Sequence, residues 1–287
     1  MAALTASGPN AEQITYWNEV TAPTWLAFQE MIDRQIGPLG RAAMERAAVR
    51  SGERVIDVGC GCGDTTLELG RRVGPGGSVL GIDLSAPMLE RAAERAAREG
   101  MSAVRFCNAD VQTHEFSSAD FDLAYSRFGV MFFSDPVRAF GSLRRALRPG
   151  GRLSFVCWQE MARNPWVAVP LAAAATVIPL PPRPSPDAPG PFSFADPERV
   201  RRILDGAGFA AIALEPHEQP LAIADGDLDR AVELALALGP TSAALREAGA
   251  AAAPRVAAAV REALARSCGE HGVRLGSAVW LVGARRP

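Results

Sequence analysis

The residues best placed to do chemistry fall in four short clusters. The first is Asp57-Val58-Gly59-Cys60-Gly61-Cys62-Gly63-Asp64. Its alternating glycines let the backbone bend sharply and approach a ligand with no Cβ in the way. Asp64 and Thr65 are good N-cap residues, and a helix starting there turns its amide dipoles toward the same spot. The second cluster is Gly81-Ile82-Asp83-Leu84-Ser85, with a carboxylate 20 positions beyond Gly63. The third is Asn108-Ala109-Asp110-Val111, and the fourth is Ser126-Arg127-Phe128-Gly129. A glycine turn between a strand and a helix forms a nucleotide-type binding corner. A dinucleotide fingerprint needs G-x-G-x-x-G; here Asp64 stands where the last glycine belongs, and its carboxylate would repel a pyrophosphate.

These clusters need a frame that brings them together. Arg54 to Val58 is apolar and β-branched apart from Arg54 and Asp57, and reads as a buried strand. A helix to Val73, a strand over 78–83, a helix capped by Ser85 that stops at Gly100, and strands over 104–107 and 121–125 follow. Asp135-Pro136 opens a helix to Leu147, and Arg152 to Trp158 is a fifth strand. Strands alternating with helices predict a doubly wound α/β fold with a parallel sheet. Right-handed crossovers then place Asp57, Asp83, Asp110 and Ser126 at strand ends along one edge. Before this core, helices are expected over 11–20, 24–34 and 39–49. After it come a helix over 164–178, a loop over 179–191 holding seven prolines, and a helix over 196–207. A sixth strand is expected over 209–223 with a break near Pro216. Alanine-rich helices over 227–268, interrupted at Gly239-Pro240 and Pro254, lead to a last strand over 273–284.

Composition bounds the partners. The 287 residues are 48% apolar and 22% charged, with a net charge of −2, and suffice for a large buried core. No basic run is dense enough for a nucleic-acid groove. All 30 basic residues are arginine, which together with the heavy use of alanine points to GC-rich coding and a bacterial origin. Five cysteines, an odd number set mostly in predicted core strands and turns, suggest reduced thiols and a cytoplasmic setting. Cys60 and Cys62 form C-x-C without a second pair, so no metal is expected. The first ten residues lack the pattern of a signal peptide. The longest apolar run, 166–180, carries Pro170 and Pro179 and is too short to span a membrane. A homodimer is compatible with all of this.

The first cluster closely resembles the first motif of class I S-adenosylmethionine-dependent methyltransferases, and the later clusters agree with that family in order and spacing. Met88-Leu89 extends the second motif, Phe121-Asp122-Leu123 through Phe133 resembles the fourth, and Leu147 to Gly151 resembles the turn before the fifth strand. The likeness covers 45–160 well and 196–222 and 273–285 loosely. It implies a seven-stranded Rossmann-like sheet and S-adenosylmethionine as cofactor. It also implies roles. Gly59, Cys60, Gly61 and Gly63 would offer carbonyl and N–H groups to the zwitterionic methionine end, and Asp57 would order that turn and reach the ammonium through water. Asp83 would accept from both ribose hydroxyls, with Leu84 and Met88 packed on adenine or ribose. Asp110 and the Val111 N–H would meet the adenine edge, and the Ser126 carbonyl would close the methionine side. Tyr16 and Trp17 would touch the ligand from a lid.

The acceptor is less legible. The whole resembles the ubiquinone/menaquinone-biosynthesis-like branch of small-molecule methyltransferases, which implies a small organic acceptor of secondary-metabolite or quinone-like type. In that frame 1–50 is an N-terminal helical lid, 51–160 the cofactor core, 161–195 a variable cap segment, 196–224 a continuation of the core, 225–270 a helical cap insertion, and 271–287 the last core strand. Arg127 could pair with an anionic acceptor, against the plainer reading of an ion pair with Asp122 or Asp135. Of His114, His217 and His271, His217 is the first to test as a base. Phe128, Met131, Trp158 and Phe194 could wall the acceptor. An RNA or protein methyltransferase, or a protein that binds the cofactor without turnover, are the alternatives.

Overall fold

A computed structural model describes residues 4–116, 119–182 and 184–287. Its centre is a sheet whose main strands are β1 (Arg54–Val58), β2 (Ser78–Asp83), β3 (Val104–Asn108), β4 (Phe121–Arg127), β5 (Leu147–Trp158), β6 (Ala210–Ala222) and β7 (Gly272–Arg285). They lie in the order β3-β2-β1-β4-β5-β7-β6, and the two-residue strand Cys268–Gly269 pairs with β7. The first five strands are parallel. β7 is antiparallel to both β5 and β6. The chain leaves β1 toward β2 on one side and later returns beside β1 as β4. The gap between those two strand ends is the topological switch point, where such sheets hold ligands.

β1 is buried on both faces, with Val55 and Ile56 fully enclosed. Its run of β-branched residues suits a central parallel strand. Asp57 is the exception, a fully buried carboxylate at the strand's C-terminal end. The helix Asp64–Val73 that follows begins two residues earlier than expected, with Gly63 at the N-cap and Asp64 already inside. Asp64 makes no capping bond and turns its carboxylate to two arginines instead.

The N-terminal region differs from the expected three helices. Ala11–Thr15 is α-helical, Tyr16–Val20 widens into a π-turn, and Ala22–Ala27 forms a short helix. The next two expected helices are one, Gln29–Ala47, which runs straight through Pro38. An internal proline costs a helix about 3 kcal/mol. The buried stripe Met31, Ile32, Ile36, Leu39, Ala43, Met44 and Ala47 continues across it, and burying that stripe on the sheet outweighs the loss. Tyr125 of β4 fixes the crossing by donating to the Gly40 carbonyl at 2.9 Å.

Beyond β5, Pro165–Ala174 is helical and shorter than expected, and Pro197–Gly206 is capped by Asp196, which accepts from the Glu198 N–H. β6 does not break at Pro216. Its register shifts between Ala210 and Ala213, while Pro216 stays in line opposite Trp280 and Pro220 opposite Gly276. β6 is an edge strand, where a residue without an N–H is tolerated. The alanine-rich stretch forms the helices Leu228–Ala237, Gly239–Ala248 and Ala253–Ala265, parted near Gly239-Pro240 and Pro254 as expected. Among the described residues no helix is long and apolar enough to cross a membrane.

Candidate functional site

The glycine turn owes its shape to two close approaches. Gly59 (φ +67°) lies so near Gly129 that a Cβ on it would stand 2.7 Å from the Gly129 Cα. Gly63 (φ +81°) rests against Ala92 of the helix Ala86–Arg98, where a Cβ would meet the Ala92 Cβ at 2.8 Å. Gly61 (φ +52°) is different, for nothing lies nearer a Cβ there than the Met88 Sδ at 3.9 Å. Gly59 and Gly63 thus pack protein on protein, and Gly61 is the glycine that leaves room.

The amides of all three are engaged. The Gly59 N–H donates to the Ile82 carbonyl at 2.8 Å, and the Gly63 N–H to the Cys60 carbonyl at 2.9 Å. The Gly61 N–H donates to Asp83 Oδ2 at 2.8 Å. What the turn keeps for a ligand is therefore carbonyl oxygen, which suits an ammonium group. Beneath it, Asp57 Oδ2 accepts from the Thr65 and Thr66 hydroxyls, each at 2.6 Å, while Oδ1 is buried without a partner. Burial pushes the Asp57 carboxyl up to about 6, against the pull of those two hydroxyls. An unpartnered buried carboxylate oxygen beneath the turn fits a cationic group bound there.

Asp83 closes the next side. Its Oδ1 accepts from the Ser85 N–H at 2.8 Å, so its two oxygens anchor both the glycine turn and the following helix start. Burial raises its pKa, and these backbone bonds oppose the rise. Each oxygen retains a lone pair for a diol. Asp110 is buried, and its oxygens accept from the Gln112 N–H at 2.9 Å and the Gln112 side chain at 3.3 Å, an Asx-type turn. The Ser126 hydroxyl donates to the Val58 carbonyl at 2.7 Å and accepts from the Gly129 N–H at 3.2 Å, so it braces the two close-packed turns. Asn18 staples the N-terminal segment to this edge. Its side chain donates to the Leu84 carbonyl at 3.0 Å and accepts from the Ala86 N–H at 3.0 Å.

One cavity of about 1290 Å³ spans this edge and continues between the added helices. Of the expected cofactor residues, Tyr16, Trp17, Gly59, Cys60, Gly61, Asp83, Leu84, Met88, Asp110 and Val111 line it; Asp57, Gly63 and Ser126 lie behind the wall. Of the expected acceptor residues, Arg127, Phe128, Met131 and Trp158 line it. Phe194 does not. It is 1% exposed and packs with Phe140 and Phe155 in the core. His217 also stands outside the wall, on β6 opposite Val279, with a ring nitrogen 3.4 Å from Gln219 Oε1. Phe128 and Trp158 stack at 4.1 Å with an interplanar angle of 7°, and Trp166 follows 4.8 Å from Trp158. Phe128 holds a left-handed backbone (φ +62°) to face its partner.

Arg127 pairs with neither Asp122 nor Asp135. Its guanidinium donates to Asp64 at 2.7 Å and to Asp33 at 3.1 Å. Arg95 completes a ring, meeting Asp33 at 3.0 Å, Asp64 at 3.6 Å and the Cys62 carbonyl at 2.8 Å. Two cations and two anions thereby join the long N-terminal helix, the end of β4, the helix after the glycine turn and the helix after β2. Burial opposes charge on Arg127, but Asp64 and Asp33 hold its guanidinium above its ordinary value. Burial raises the Asp33 carboxyl despite Arg127. Sequence reasoning missed Asp33 and Arg95. The available sign was a carboxylate inside the apolar stripe of a helix, between Ile32 and Ile36. All five cysteines are free thiols; burial pushes Cys62 up to about 12 and raises Cys60 well above its ordinary value, which leaves both as apolar wall. Among the described residues no group of His, Cys, Asp and Glu is placed to hold a metal ion.

A protein-family model described as a methyltransferase domain matches residues 55–151. The chain is 30% identical over 193 residues to nocamycin O-methyltransferase of Saccharothrix syringae, covering 63% of this chain and 67% of that protein. It is 38% identical over 114 residues to the ubiquinone/menaquinone biosynthesis C-methyltransferase UbiE of Pseudomonas paraeruginosa, covering 39% of this chain and 44% of that one. Several curated relatives are matched over about half of their length. Among solved structures, phosphoethanolamine N-methyltransferase 2 of Haemonchus contortus shares the fold, with a TM-score of 0.60 at 19% identity over 96% of this chain and 59% of that one. The chain belongs to the class I S-adenosylmethionine-dependent methyltransferases.

Proposed function

We propose that this protein transfers a methyl group from S-adenosylmethionine to a small organic acceptor of secondary-metabolite or quinone-like type. The observation that carries the reading is the single cavity that runs from the glycine turn to the Phe128–Trp158–Trp166 wall. Its volume exceeds the roughly 300–1,000 Å³ of ordinary ligand pockets, which suits two molecules lying end to end. When bound, S-adenosylmethionine supplies an electrophilic methyl group on a sulfonium centre. The turn carbonyls would hold the ammonium end, with Asp57 behind them reaching it through water, Asp83 the ribose, and Asp110 with Val111 the adenine edge. Leu84 and Met88 would pack on the nucleoside.

The chain's task toward the acceptor is to orient it and exclude water. We read the N-terminal helices as a lid and the segments 161–195 and 225–270 as a cap, because Tyr16, Trp17, Phe192 and Leu238 from these regions all face the same cavity. Among the described residues no histidine lines it, so neither His217 nor its two counterparts serves as the base in this reading. Arg127 acts by holding the ring of charges. We place the protein in the cytoplasm on its free thiols.

Incubation with methyl-labelled S-adenosylmethionine and a panel of phenols, quinols and carbon acids tests the proposal. Label should pass to an organic product together with release of S-adenosylhomocysteine. Binding of the cofactor with no transfer to any panel member or to a host metabolite extract would favour a non-catalytic binding protein. Transfer only to RNA or protein would replace the acceptor class.

A further inference from the structure

Six charged side chains line the cavity among the described residues: Asp33, Asp83, Asp110, Arg127, Glu160 and Arg246. The first four are engaged where the cofactor would lie. Asp33 and Arg127 neutralise each other within the ring of four charges. Asp83 is tied to backbone amides and Asp110 to Gln112. Glu160 stands just past the end of β5, and Arg246 belongs to the insertion.

Arg246 stands on the helix Gly239–Ala248, inside the insertion between β6 and β7. One guanidinium nitrogen donates to the Ser242 hydroxyl at 2.8 Å, one turn back on the same helix. That bond fixes the direction of the side chain and leaves most of its five N–H groups free. No acidic residue pairs with it among the described residues, Glu160 included. The neighbouring lining from Leu234, Leu238 and Ala243 is apolar. Arg246 itself is exposed, so its guanidinium is open to an incoming ligand, and a guanidinium is a planar fork matched to a carboxylate.

We propose that Arg246 binds a carboxylate on the acceptor, so that the enzyme methylates an organic acid whose apolar body lies against the Phe128–Trp158 stack. The inference rests on the reading of this cavity as a methyl-acceptor site. It assigns the sign of the acceptor's charge and the residue that recognises it.

The test compares binding of aromatic acids with that of their own methyl esters. Hydroxybenzoate, hydroxynaphthoate and a hydroxyanthraquinone carboxylate serve as probes, titrated calorimetrically with S-adenosylhomocysteine present. At least one acid should bind about tenfold more tightly than its ester, a difference of about 1.4 kcal/mol. Arg246→Gln should reduce that ratio to near one with the S-adenosylhomocysteine affinity unchanged, and Arg246→Lys should restore part of it. Equal binding of acid and ester, no binding of any acid, or a preference that survives in Arg246→Gln would overturn the proposal. Failure of S-adenosylhomocysteine itself to bind would instead overturn the methyltransferase reading.

Discussion

At the glycine-turn end the cavity wall includes backbone that only a tight turn can present; at the far end it is side chain. Gly59, Gly61 and Asp83 shape the first through amides, carbonyls and a carboxylate bound to amides. Phe128, Trp158, Trp166 and Arg246 shape the second, and the last two come from segments outside the alternating core. A backbone wall depends on turn geometry and tolerates few substitutions. A side-chain wall can change its chemistry one residue at a time while the sheet stays as it is. The fold thus separates the reagent held in common from the acceptor that distinguishes one enzyme from another.

The largest expected effect comes from the ring that joins the two ends. Arg127→Met leaves Asp33 and Asp64 without their strongest partner and should lower stability by about 3–5 kcal/mol in urea unfolding. Adding Asp33→Asn should recover part of that loss. A change under about 1 kcal/mol would mean that the ring holds nothing together.

Gly59→Ala and Gly61→Ala separate packing from ligand space. At Gly59 the new Cβ forces two backbones apart, so both melting temperature and cofactor affinity should fall, with a stability loss of about 2 kcal/mol or more. At Gly61 the protein has room, and stability should fall only by the left-handed strain of about 1 kcal/mol, while cofactor affinity drops more steeply. Equal profiles for the two variants would erase the distinction. Asp83→Ala should weaken cofactor binding by about 1–3 kcal/mol, measured by calorimetry with S-adenosylhomocysteine.

A smaller effect appears with pH. Asp57 titrates near 6 in the fold and near 3.8 as an ordinary aspartate, so between those values the folded state binds the extra proton. Its contribution to stability therefore declines as pH rises from about 4 to about 6. Cofactor affinity should move the other way, rising through about 6 as the carboxylate behind the turn ionises and attracts the ammonium. Asp57→Asn should flatten that binding profile, and an unchanged profile would remove Asp57 from the site. The smallest effect is at the sheet's outer strand, where His217→Ala should leave kcat/KM within about twofold. A tenfold loss there would place part of the chemistry outside the cavity.

How much of this was readable follows the same division. The turn, Asp83 and Asp110 stand on local signals, namely a glycine spacing and carboxylates at the ends of β-branched runs, and their gathering on one edge follows from crossover handedness. Helix continuity through Pro38 depends on burial against β4, β5 and β7, which no local rule supplies. The partners of Arg127 lie 63 and 94 positions away in sequence, on elements whose relative placement only the folded sheet decides. Pro216 suggested a break because its tolerance depends on strand position, and the last strand inserts between β5 and β6 to put β6 at the edge. Arg246 sits in an alanine-rich helix where composition marks no face as special.

That edge also governs how copies of the protein meet. Residues 216 and 220 share one parity, so their nitrogens fall on the same side of the strand. With β7 occupying the inner side, two of the three outward positions among 216, 218 and 220 carry no N–H. Between 216 and 220 a strand from a second molecule would find a single donor, that of Glu218. The fold therefore resists end-to-end growth of its sheet into aggregates at this border, and self-association through this strand would have to proceed without a continued ladder.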